Sequence, residues 1–412
     1  MGTSRRDSPS LPDVLVGRGS FICSSISDAS RARPTALLGQ RRSYVPAGPT
    51  MMEPWRNPAR RQPGQRGAWF RVELTIGGLT VGTVDEVLRS AGDACERELR
   101  GRVGSLQGPA AEVAAYQFGW SGEGARQGGK YVRAALTLAC ARAVGGADRR
   151  AVPAAAAVEM VHNLSLLYDD VLDGDAVRRH RAAAWQVFGP SSAARSADAM
   201  MLTAFDVLSE ADGPDGPVAR EASAALVDVL IQLAVGESLD LVFEGRSEVI
   251  LAECLEMVSG KTASLFACAC RLGALYGGAD PAVCAQWAEF GHDLGMAFQL
   301  VDDLLGIWGD PAVTGKPVFN DLKNRKMSVP VVAALGSGTP AGDELARLYA
   351  QPGGDTADLA RLVEEAGGRR WTSDRAAQHA TAARDRLHRL TALPEALEDL
   401  GALCTVVIRR VH

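Results

Sequence analysis

The sequence predicts an all-α protein, and three observations support this prediction. Alanine is abundant throughout, whereas aromatic residues make up only 6% of the chain, and this composition favours helix over sheet. After about residue 83, apolar residues recur at helical spacing with few strand-like alternations. Clusters of glycine and proline separate these stretches. We therefore expect a single all-helical domain over residues 83–412.

The helical pattern can be followed along the chain. Thr83 and Glu86 have the spacing of a capping box and mark the expected start of the domain. The stretches after it are ended by glycine or proline, as in Gly145-Gly146 and Gly277-Gly278. The predicted helices lie near residues 84–103, 130–145, 152–173, 194–212, 217–243, 249–276, 281–305, 326–335, 342–350, 355–366, 373–391 and 394–410.

Residues 1–82 differ from the rest of the chain. Positions 1–70 contain eleven arginines, no lysine and four acidic residues, with many Ser, Pro and Gly and no amphipathic period. This composition predicts a disordered N-terminal extension. It could be a compartment address, a docking tag or an artefact of start-site assignment, since Met51 and Met52 are possible internal starts.

Bulk properties limit the possible functions. The net charge of −5 gives no electrostatic reason to expect nucleic acid or an anionic membrane as partner. There is no apolar run of about 18 residues, so no transmembrane segment is expected. The eight cysteines are scattered without a C-x-x-C pair, which favours inert core thiols and a cytoplasmic location.

The first acidic cluster follows an apolar helical stretch. Asp169 and Asp173 are four residues apart and share a helix face, while Asp170 points about 100° away. Carboxylates stacked in this way repel each other unless a cation lies between them, and Mg²⁺ prefers such oxygen ligands together with phosphate. The alternative is a helix end that reaches solvent at Asp173-Gly174-Asp175.

A second acidic cluster favours the metal interpretation. Asp302 and Asp303 follow a long apolar stretch, near a helix C-terminus where acidic side chains are unfavourable. Position 306 is glycine, so this cluster lacks an acid four residues after Asp302, and nothing in the sequence shows that Asp310 substitutes for it.

Several basic residues follow glycines or lie next to the acidic clusters. Each one alone would be interpreted as a surface charge. Together with two metal-type clusters they indicate a cage for a diphosphate, because Lys, Arg and Mg²⁺ neutralise phosphate oxygens. The residues are Lys130, Arg133, Arg178, Arg179, Lys261 and Lys316.

In this order the motifs resemble the trans-isoprenyl diphosphate synthases of the polyprenyl synthetase family, most of all the geranylgeranyl diphosphate synthases. The resemblance covers residues 84–410. It rests on Gly129-Lys130-x-x-Arg133, His162 with Asp169-Asp170-x-x-Asp173, Arg178-Arg179, Lys261-Thr262, Phe298-Gln299-x-x-Asp302-Asp303 and Gly315-Lys316. It implies an isoprenoid-synthase helical bundle around a central substrate cavity, a homodimer, and a Mg²⁺-dependent transferase of isoprenoid biosynthesis. Such a prenyltransferase condenses isopentenyl diphosphate with an allylic diphosphate.

The resemblance also implies residue roles. Mg²⁺, with three ions per site once diphosphate is bound, would be held by Asp169, Asp170, Asp173, Asp302 and Asp303. The allylic diphosphate would be bound by Arg178, Lys261 and Lys316. Isopentenyl diphosphate would be bound by Lys130, Arg133, His162 and Arg179, although a core histidine is the alternative for His162. Thr262 and Gln299 would line the reacting region. The catalytic set would comprise Asp169, Asp170, Asp173, Arg178, Lys261, Gln299, Asp302 and Lys316.

The sequence departs from the family pattern at four places. Gly306 stands where the family often has a third Asp, and Ala134 stands where it has Pro. The usual Arg-Arg-Gly-x-Pro-Thr reads Arg178-Arg179-His180-Arg181-Ala182-Ala183. The usual Gly-Gln is Gly236-Glu237, although Asp240 is kept. None of these changes removes an expected diphosphate ligand.

Three other functions remain open from the sequence. A longer-chain polyprenyl diphosphate synthase would share every motif. A class I terpene cyclase would share the fold and the first cluster, but it has no isopentenyl site. A non-catalytic partner subunit tends to lose its acidic clusters, whereas this chain keeps five of the six acids.

Product length is expected to depend on the residues one turn before the first cluster. These are Leu164 and Ser165, neither of which is aromatic. The pocket floor is therefore expected to be open beyond a C15 chain, and we predict geranylgeranyl diphosphate (C20).

We expect Leu164→Phe to shorten the main product, because an aromatic ring would fill the pocket floor. Mass spectrometry of the prenyl products of both enzymes would measure the shift. An unchanged chain length would place the floor elsewhere.

Overall fold

The computed structural model describes residues 81–122, 129–210, 216–246, 248–311, 318–351 and 353–408. They belong to one compact unit that comprises residues 71–412. The described residues are almost entirely helical, so the predicted all-α class is confirmed. The helices are α1 Val81–Ser105, α2 Pro109–Gln117, α3 Val132–Ala143, α4 Asp148–Leu172, α5 Ala184–Phe188, α6 Pro190–Ser209, α7 Pro217–Glu244, α8 Leu251–Val258, α9 Ser264–Gly277, α10 Pro281–Trp308, α11 Asn320–Lys323, α12 Val329–Leu335, α13 Pro340–Tyr349, α14 Thr356–Glu365, α15 Gly368–Arg389 and α16 Pro394–Ile408.

The predicted capping box at Thr83 does not coincide with the start of the first described helix. Helix α1 begins at Val81, so Thr83 lies inside the helix and is not its N-cap. The predicted disordered extension, residues 1–82, lies outside the described residues up to position 80. The division at residue 83 therefore stays a prediction.

Two sequence-based expectations can be compared with the described residues. The seven cysteines in the described ranges are all buried and unpaired, as expected for core thiols, while Cys23 lies outside these ranges. No helix in the described part of the chain is both long enough and apolar enough to cross a membrane.

Helix α4 packs against α3, α6 and α9. Alanines in its first half make this possible, since residues 154–157 are all alanines with no exposed surface. Small side chains let neighbouring helices approach closely, and the burial of their methyl groups stabilises the contact. This packing fixes the direction of α4, whose last turn carries the first acidic cluster.

Helix α10 lies unusually close to the start of α9. A Cβ atom at Gly291 would lie 2.5 Å from the carbonyl oxygen of Phe266, and one at Gly295 would lie 2.6 Å from Cα of Ala263. Glycine inside a helix costs about 0.5–1 kcal/mol relative to alanine, but here only glycine leaves room for the neighbouring backbone. The contact holds the helix that carries the second acidic cluster.

One turn of π-helix, Ser259–Ala263, joins α8 to α9. It presents Lys261 and Thr262, and such turns are frequent at functional sites. Helix α7 meets this turn at Gly236, where a Cβ atom would lie 2.3 Å from the backbone nitrogen of Lys261. The π turn is therefore packed directly against the backbone of α7.

The sequence pattern did not predict the short hairpin after α4. Strands β1 (Val177–Arg178) and β2 (Arg181–Ala182) pair antiparallel. Arg179 and His180 form the turn with φ of 52° and 63°, in the left-handed region that costs a non-glycine residue about 1–2 kcal/mol. This strain gives a physical reason for the glycine that the resembled family usually has at position 180. The hairpin gives Arg178 and Arg179 a defined position beside α4.

Candidate active site

The first acidic cluster lies at the C-terminal end of α4. Asp169 and Asp170 are in its last turn, and the N–H of Asp173 donates to the carbonyl oxygen of Asp169 over 2.8 Å. Burial raises the pKa of Asp169; Lys261 opposes this rise, and Asp173 adds to it. The helix dipole also disfavours negative charge at this end. The cluster therefore depends on nearby cations.

Arg178 provides one of these cations. Its Nε donates to Oδ1 of Asp170 over 2.7 Å, and the Asp170 side chain is only 1% exposed. Burial raises the pKa of Asp170, and Arg178 opposes the rise. The predicted metal ligand and the predicted diphosphate ligand are thus paired with each other.

Lys261 provides the second cation. Its Nζ lies 2.6 Å from Oε2 of Glu237 and 2.7 Å from Oδ2 of Asp240, both on α7. Burial lowers the pKa of Lys261, but Asp169, Asp240 and Glu237 outweigh this effect and the pKa is raised. Burial and Asp169 raise the pKa of Glu237 to about 7, against the opposing effect of Lys261. Lys261 therefore stays charged, and its ion pairs connect the π turn to α7.

The second acidic cluster lies on α10, and its two acids differ. Asp302 is half-buried, whereas Asp303 is buried. Oδ1 of Asp303 accepts a hydrogen bond from Nε2 of Gln299 over 2.8 Å, and Oδ2 accepts one from the backbone N–H of Val329 over 3.0 Å. Burial raises the pKa of Asp303 to about 7, although these two hydrogen bonds oppose the rise. Asp303 thus joins α10 to the start of α12.

The hydrogen bonds continue from Asp303 to the π turn. Oε1 of Gln299 accepts from the hydroxyl of Thr262 over 2.7 Å. The predicted lining residues Thr262 and Gln299 are therefore in direct contact. These two hydrogen bonds fix the orientation of the Gln299 amide, with its oxygen towards Thr262 and its nitrogen towards Asp303.

A separate cationic group lies beside α4, two turns before the acids. Burial and the charges of Arg133, Arg179 and Arg178 lower the pKa of His162 well below its ordinary value, so it is neutral. Arg179 donates to Oδ1 of Asn163 over 3.4 Å. A Cβ atom at Gly129 would lie 3.2 Å from the Arg179 guanidinium. The structure therefore brings together Arg133, His162 and Arg179, which were predicted as one binding set.

Glu159 partly balances this group. It is buried and accepts from the backbone N–H of Ala134 over 3.1 Å. Burial raises its pKa, and Arg133 is the first opposing influence. The guanidinium of Arg133 also lies 4.7 Å from the centre of the Phe266 ring, a distance suited to a cation–π interaction. One carboxylate faces two arginines, which leaves a local excess of positive charge.

The remaining predicted residues have different positions. Lys130 is exposed at the start of the segment before α3. Lys316 lies outside the described residues. Leu164 is 4% exposed and belongs to the main core, and the hydroxyl of the half-buried Ser165 donates to the carbonyl oxygen of His162 over 2.9 Å. Their roles in chain length stay predictions.

Sequence reasoning did not assign a role to Lys326. Burial lowers its pKa, but Asp240 and then Asp173 are among the charges that raise it overall. Lys326 therefore lies among the acids of α7 and the first cluster. In the sequence, Lys326 is recognisable only as a basic residue four positions before Pro330. Glu237 and Asp240 were noted as motif positions but not as partners of Lys261.

The donor set fits Mg²⁺ bound together with a diphosphate. Among the described residues, Oδ1 of Asp169 and Oδ2 of Asp170 are buried without a hydrogen-bond partner. Buried carboxylate oxygens of this kind need a cation or a donor. Within the described ranges, no three acidic, His or Cys side chains are arranged to hold a metal ion by themselves. Mg²⁺ is commonly held by one or two carboxylates with phosphate oxygens completing its ligands.

Comparison with known proteins identifies the family. The family described as "Polyprenyl synthetase" matches residues 122–366. The chain belongs to this family. The prediction of a trans-prenyltransferase, made from the order of the motifs, is confirmed.

Similar proteins cover most of the chain. A geranylgeranyl diphosphate synthase of Mycobacterium tuberculosis is 43% identical over 352 residues, which is 82% of this chain and 98% of that protein. A (2E,6E)-farnesyl diphosphate synthase of Mycobacterium bovis is 38% identical over 351 residues, covering 82% of this chain and 94% of that protein. The crystal structure of a polyprenyl synthetase from Streptomyces coelicolor A3(2) has a TM-score of 0.75 and 40% identity, covering 79% of this chain and 99% of that one. The helical fold of this synthetase is therefore shared.

We expect Asp303→Ala to destabilise the fold by about 1–3 kcal/mol, because the buried Val329 N–H and the Gln299 amide would lose their acceptor. Urea unfolding would measure the change. Asp302→Ala is the matched control on the same helix. Because Asp302 is half-buried, we expect its loss to change the free energy of unfolding by no more than about 0.5 kcal/mol. Equal losses of stability in the two variants would contradict a structural role that Asp303 has and Asp302 lacks.

Proposed function

We propose that this chain is a Mg²⁺-dependent synthase that condenses isopentenyl diphosphate with an allylic diphosphate to give geranylgeranyl diphosphate. One observation carries the proposal: α4 presents two different anion sites on one face. His162 belongs to the cationic group, and Asp169 belongs to the acidic cluster seven residues later. Seven residues are close to two helical turns, or about 10 Å along the axis. Two diphosphates could thus lie side by side, one bound by arginines and the other through metal.

The acidic side suits the diphosphate that leaves. Three Mg²⁺ ions would be held by the acids of α4 and α10. When bound, they would neutralise the negative charge that develops on the departing diphosphate. Arg178 already donates to Asp170 over 2.7 Å, and Lys261 is paired with Glu237 and Asp240 of α7 at 2.6 and 2.7 Å. Both could exchange an acidic partner for a phosphate oxygen as metal takes over the carboxylate. Lys316 is proposed to act beside them.

The cationic side suits isopentenyl diphosphate. Arg133 and Arg179 would each donate to its phosphate oxygens, and the neutral His162 would donate one more hydrogen bond. Lys130 is exposed one residue after Gly129 and can add a charge from solvent. The C–O bond of isopentenyl diphosphate is not allylic, so its diphosphate would stay attached while that of the allylic substrate leaves.

The reaction needs no side-chain base. The allylic C–O bond breaks, the double bond of isopentenyl diphosphate attacks the allylic carbon, and the released diphosphate takes the proton lost from the adjacent carbon. Phe266 and Phe298 have ring centres 5.3 Å apart; Phe298 precedes Gln299 in the chain, and Phe266 is four residues after Thr262. These apolar rings would help to keep water from the carbocation.

A C20 product is supported by the pocket floor and by relatives. Leu164 and Ser165 leave no aromatic ring one turn below Asp169. The relative with 43% identity carries the name of a geranylgeranyl diphosphate synthase, and one with 38% that of a farnesyl diphosphate synthase. The longer-chain synthase is the alternative outcome.

We further propose a homodimer in the cytoplasm. Val227, Ile231 and Val235 on α7 are 45%, 58% and 49% exposed and recur every four residues. Leu202 on α6 is 67% exposed, and α6 packs against α7. Such a stripe of apolar side chains across two adjacent helices suits burial against a second copy. The unpaired cysteines of the described ranges suit a reducing compartment.

We expect the purified chain to make a C20 diphosphate from isopentenyl diphosphate and an allylic starter, when Mg²⁺ is present. Chelation should abolish synthesis and added Mg²⁺ should restore it. Asp169→Asn should lower kcat/KM by about 100-fold or more, because a metal-binding carboxylate that stabilises the leaving group is lost. Products would be identified by mass.

Glu344→Gln on α13 is the control, because Glu344 pairs only with the exposed Arg347 among the described residues. A ladder of longer products would keep the reaction and reject C20. A folded chain that elongates no starter would instead support the partner-subunit alternative.

We expect Ile231→Arg to weaken the dimer, because a charge would be buried in the apolar stripe. Sedimentation equilibrium would report a lower mass at micromolar concentration. Leu393→Arg, at a residue that is 54% exposed outside α6 and α7, should leave the mass unchanged. A wild-type monomer would refute the dimer.

A further inference from the structure

Gly306 lies one turn after Asp302 on α10, directly against the side chain of Asp321. A Cβ atom at position 306 would lie 2.0 Å from Oδ2, 2.5 Å from Cγ and 2.8 Å from Oδ1 of Asp321. No side chain fits at position 306 while Asp321 is in this position. The carboxylate of Asp321 therefore lies where the Cβ atom of any side chain at position 306 would be.

Asp321 is held in this place by its own short segment. It lies on α11, with a side chain that is mostly buried. The N–H of Phe319 donates to the carbonyl oxygen of Ile307 over 3.0 Å, and the N–H of Lys326 donates to the carbonyl oxygen of Asp321 over 2.9 Å. Leu322 has no exposed surface and anchors the segment in the core. These contacts bring the segment back onto the last turn of α10.

The helix geometry then places two carboxylates on one face. Residues 302 and 306 are four apart, so they lie on the same side of α10 and one turn from each other. With the Asp321 carboxylate of α11 over Gly306, an acid lies beside α10 one turn after Asp302, a spacing like that of Asp169 and Asp173 on α4. Gly306 also costs helix stability relative to alanine, and room for this carboxylate is a physical reason for it.

We propose that Asp321 is the missing acid of the second cluster and acts with Asp302 in binding the Mg²⁺–diphosphate complex from the α10 side. This inference rests on the proposed function. It gives a metal-binding role to a residue outside both acidic motifs, and the role depends on glycine at position 306.

The surrounding charges agree with this role. Asp321 is among the charges that raise the pKa of Lys326, a cation that also faces the acids Asp240 and Asp173. Asp321 also adds to the rise in the pKa of Asp303 that burial causes. Its carboxylate therefore belongs to the same electrostatic environment as both clusters. Across this environment, α4 presents the partnerless Oδ1 of Asp169 and Oδ2 of Asp170 described above.

The first experiment measures binding of inorganic diphosphate by calorimetry over a range of Mg²⁺ concentrations, without substrate turnover. Asp321→Asn keeps the shape of the side chain and removes its charge. We expect it to raise the Mg²⁺ concentration for half-maximal binding by about 10-fold or more, the range seen when groups that support a metal are lost. Asp302→Asn should have a similar effect.

Asp310→Asn is the matched control, because Asp310 is an exposed acid only four residues after Gly306. It should bind like the wild type. An Asp321→Asn variant that also binds like the wild type would overturn the inference while leaving the proposed function intact. Absence of Mg²⁺-dependent diphosphate binding by the wild type would instead reject the proposed function itself.

A double variant separates metal binding from a merely structural effect. Gly306→Asp combined with Asp321→Ala moves the acid back onto α10 and removes the clash. We expect its Mg²⁺ dependence to return to within about threefold of the wild type, whereas Gly306→Asp alone should lose stability through overpacking. If the double variant folds, as judged by circular dichroism, and its Mg²⁺ dependence stays at that of Asp321→Asn, the inference is wrong.

Discussion

The site depends on the compensation of buried carboxylates at the ends of two helices. Asp169 and Asp170 lie where desolvation and the helix dipole both act against their negative charge. Arg178 and Lys261 supply the opposite charge. The hairpin after α4 positions Arg178, and the π turn before α9 positions Lys261. A buried pair of this kind is costly when one partner is removed. The local backbone geometry is thus coupled to the charge balance of the site.

The same requirement explains how metal could enter. Arg178 contacts only Oδ1 of Asp170 and Lys261 contacts Glu237 and Asp240, whereas Oδ2 of Asp170 and Oδ1 of Asp169 have no hydrogen-bond partner among the described residues. The carboxylates of the first cluster are therefore only partly paired with cations. A Mg²⁺–diphosphate complex brings both positive ions and acceptor oxygens, so carboxylates and cations could exchange partners without leaving a buried charge alone. On the arginine side, Glu159 balances only part of the charge of Arg133 and Arg179, which leaves that group suited to an anion.

Much of this could be predicted from the sequence, because the acidic and basic motifs lie on helices whose period fixes which residues share a face. The spacing of Asp169 and Asp173 predicted that they share a helix face. The grouping of Arg133, His162 and Arg179 followed from the family resemblance. What could not be predicted depends on tertiary contacts between distant segments. Nothing local shows that Asp321 lies over Gly306, or that Glu237 and Asp240 bind Lys261. The role of Asp303 in joining α10 to α12 was likewise hidden, because its partner Val329 is 26 residues away.

The segment that carries Asp321 and Lys326 is attached at both ends. Phe319 is bonded to the end of α10, and Val329 is bonded to Asp303 one turn earlier. Its backbone is therefore already ordered before any ligand arrives, and the loss of conformational entropy occurs during folding. The free energy of ligand binding is then not reduced by the ordering of a loop on this face. In this sense two hydrogen bonds donated by backbone N–H groups would contribute to the affinity of the site through preorganisation.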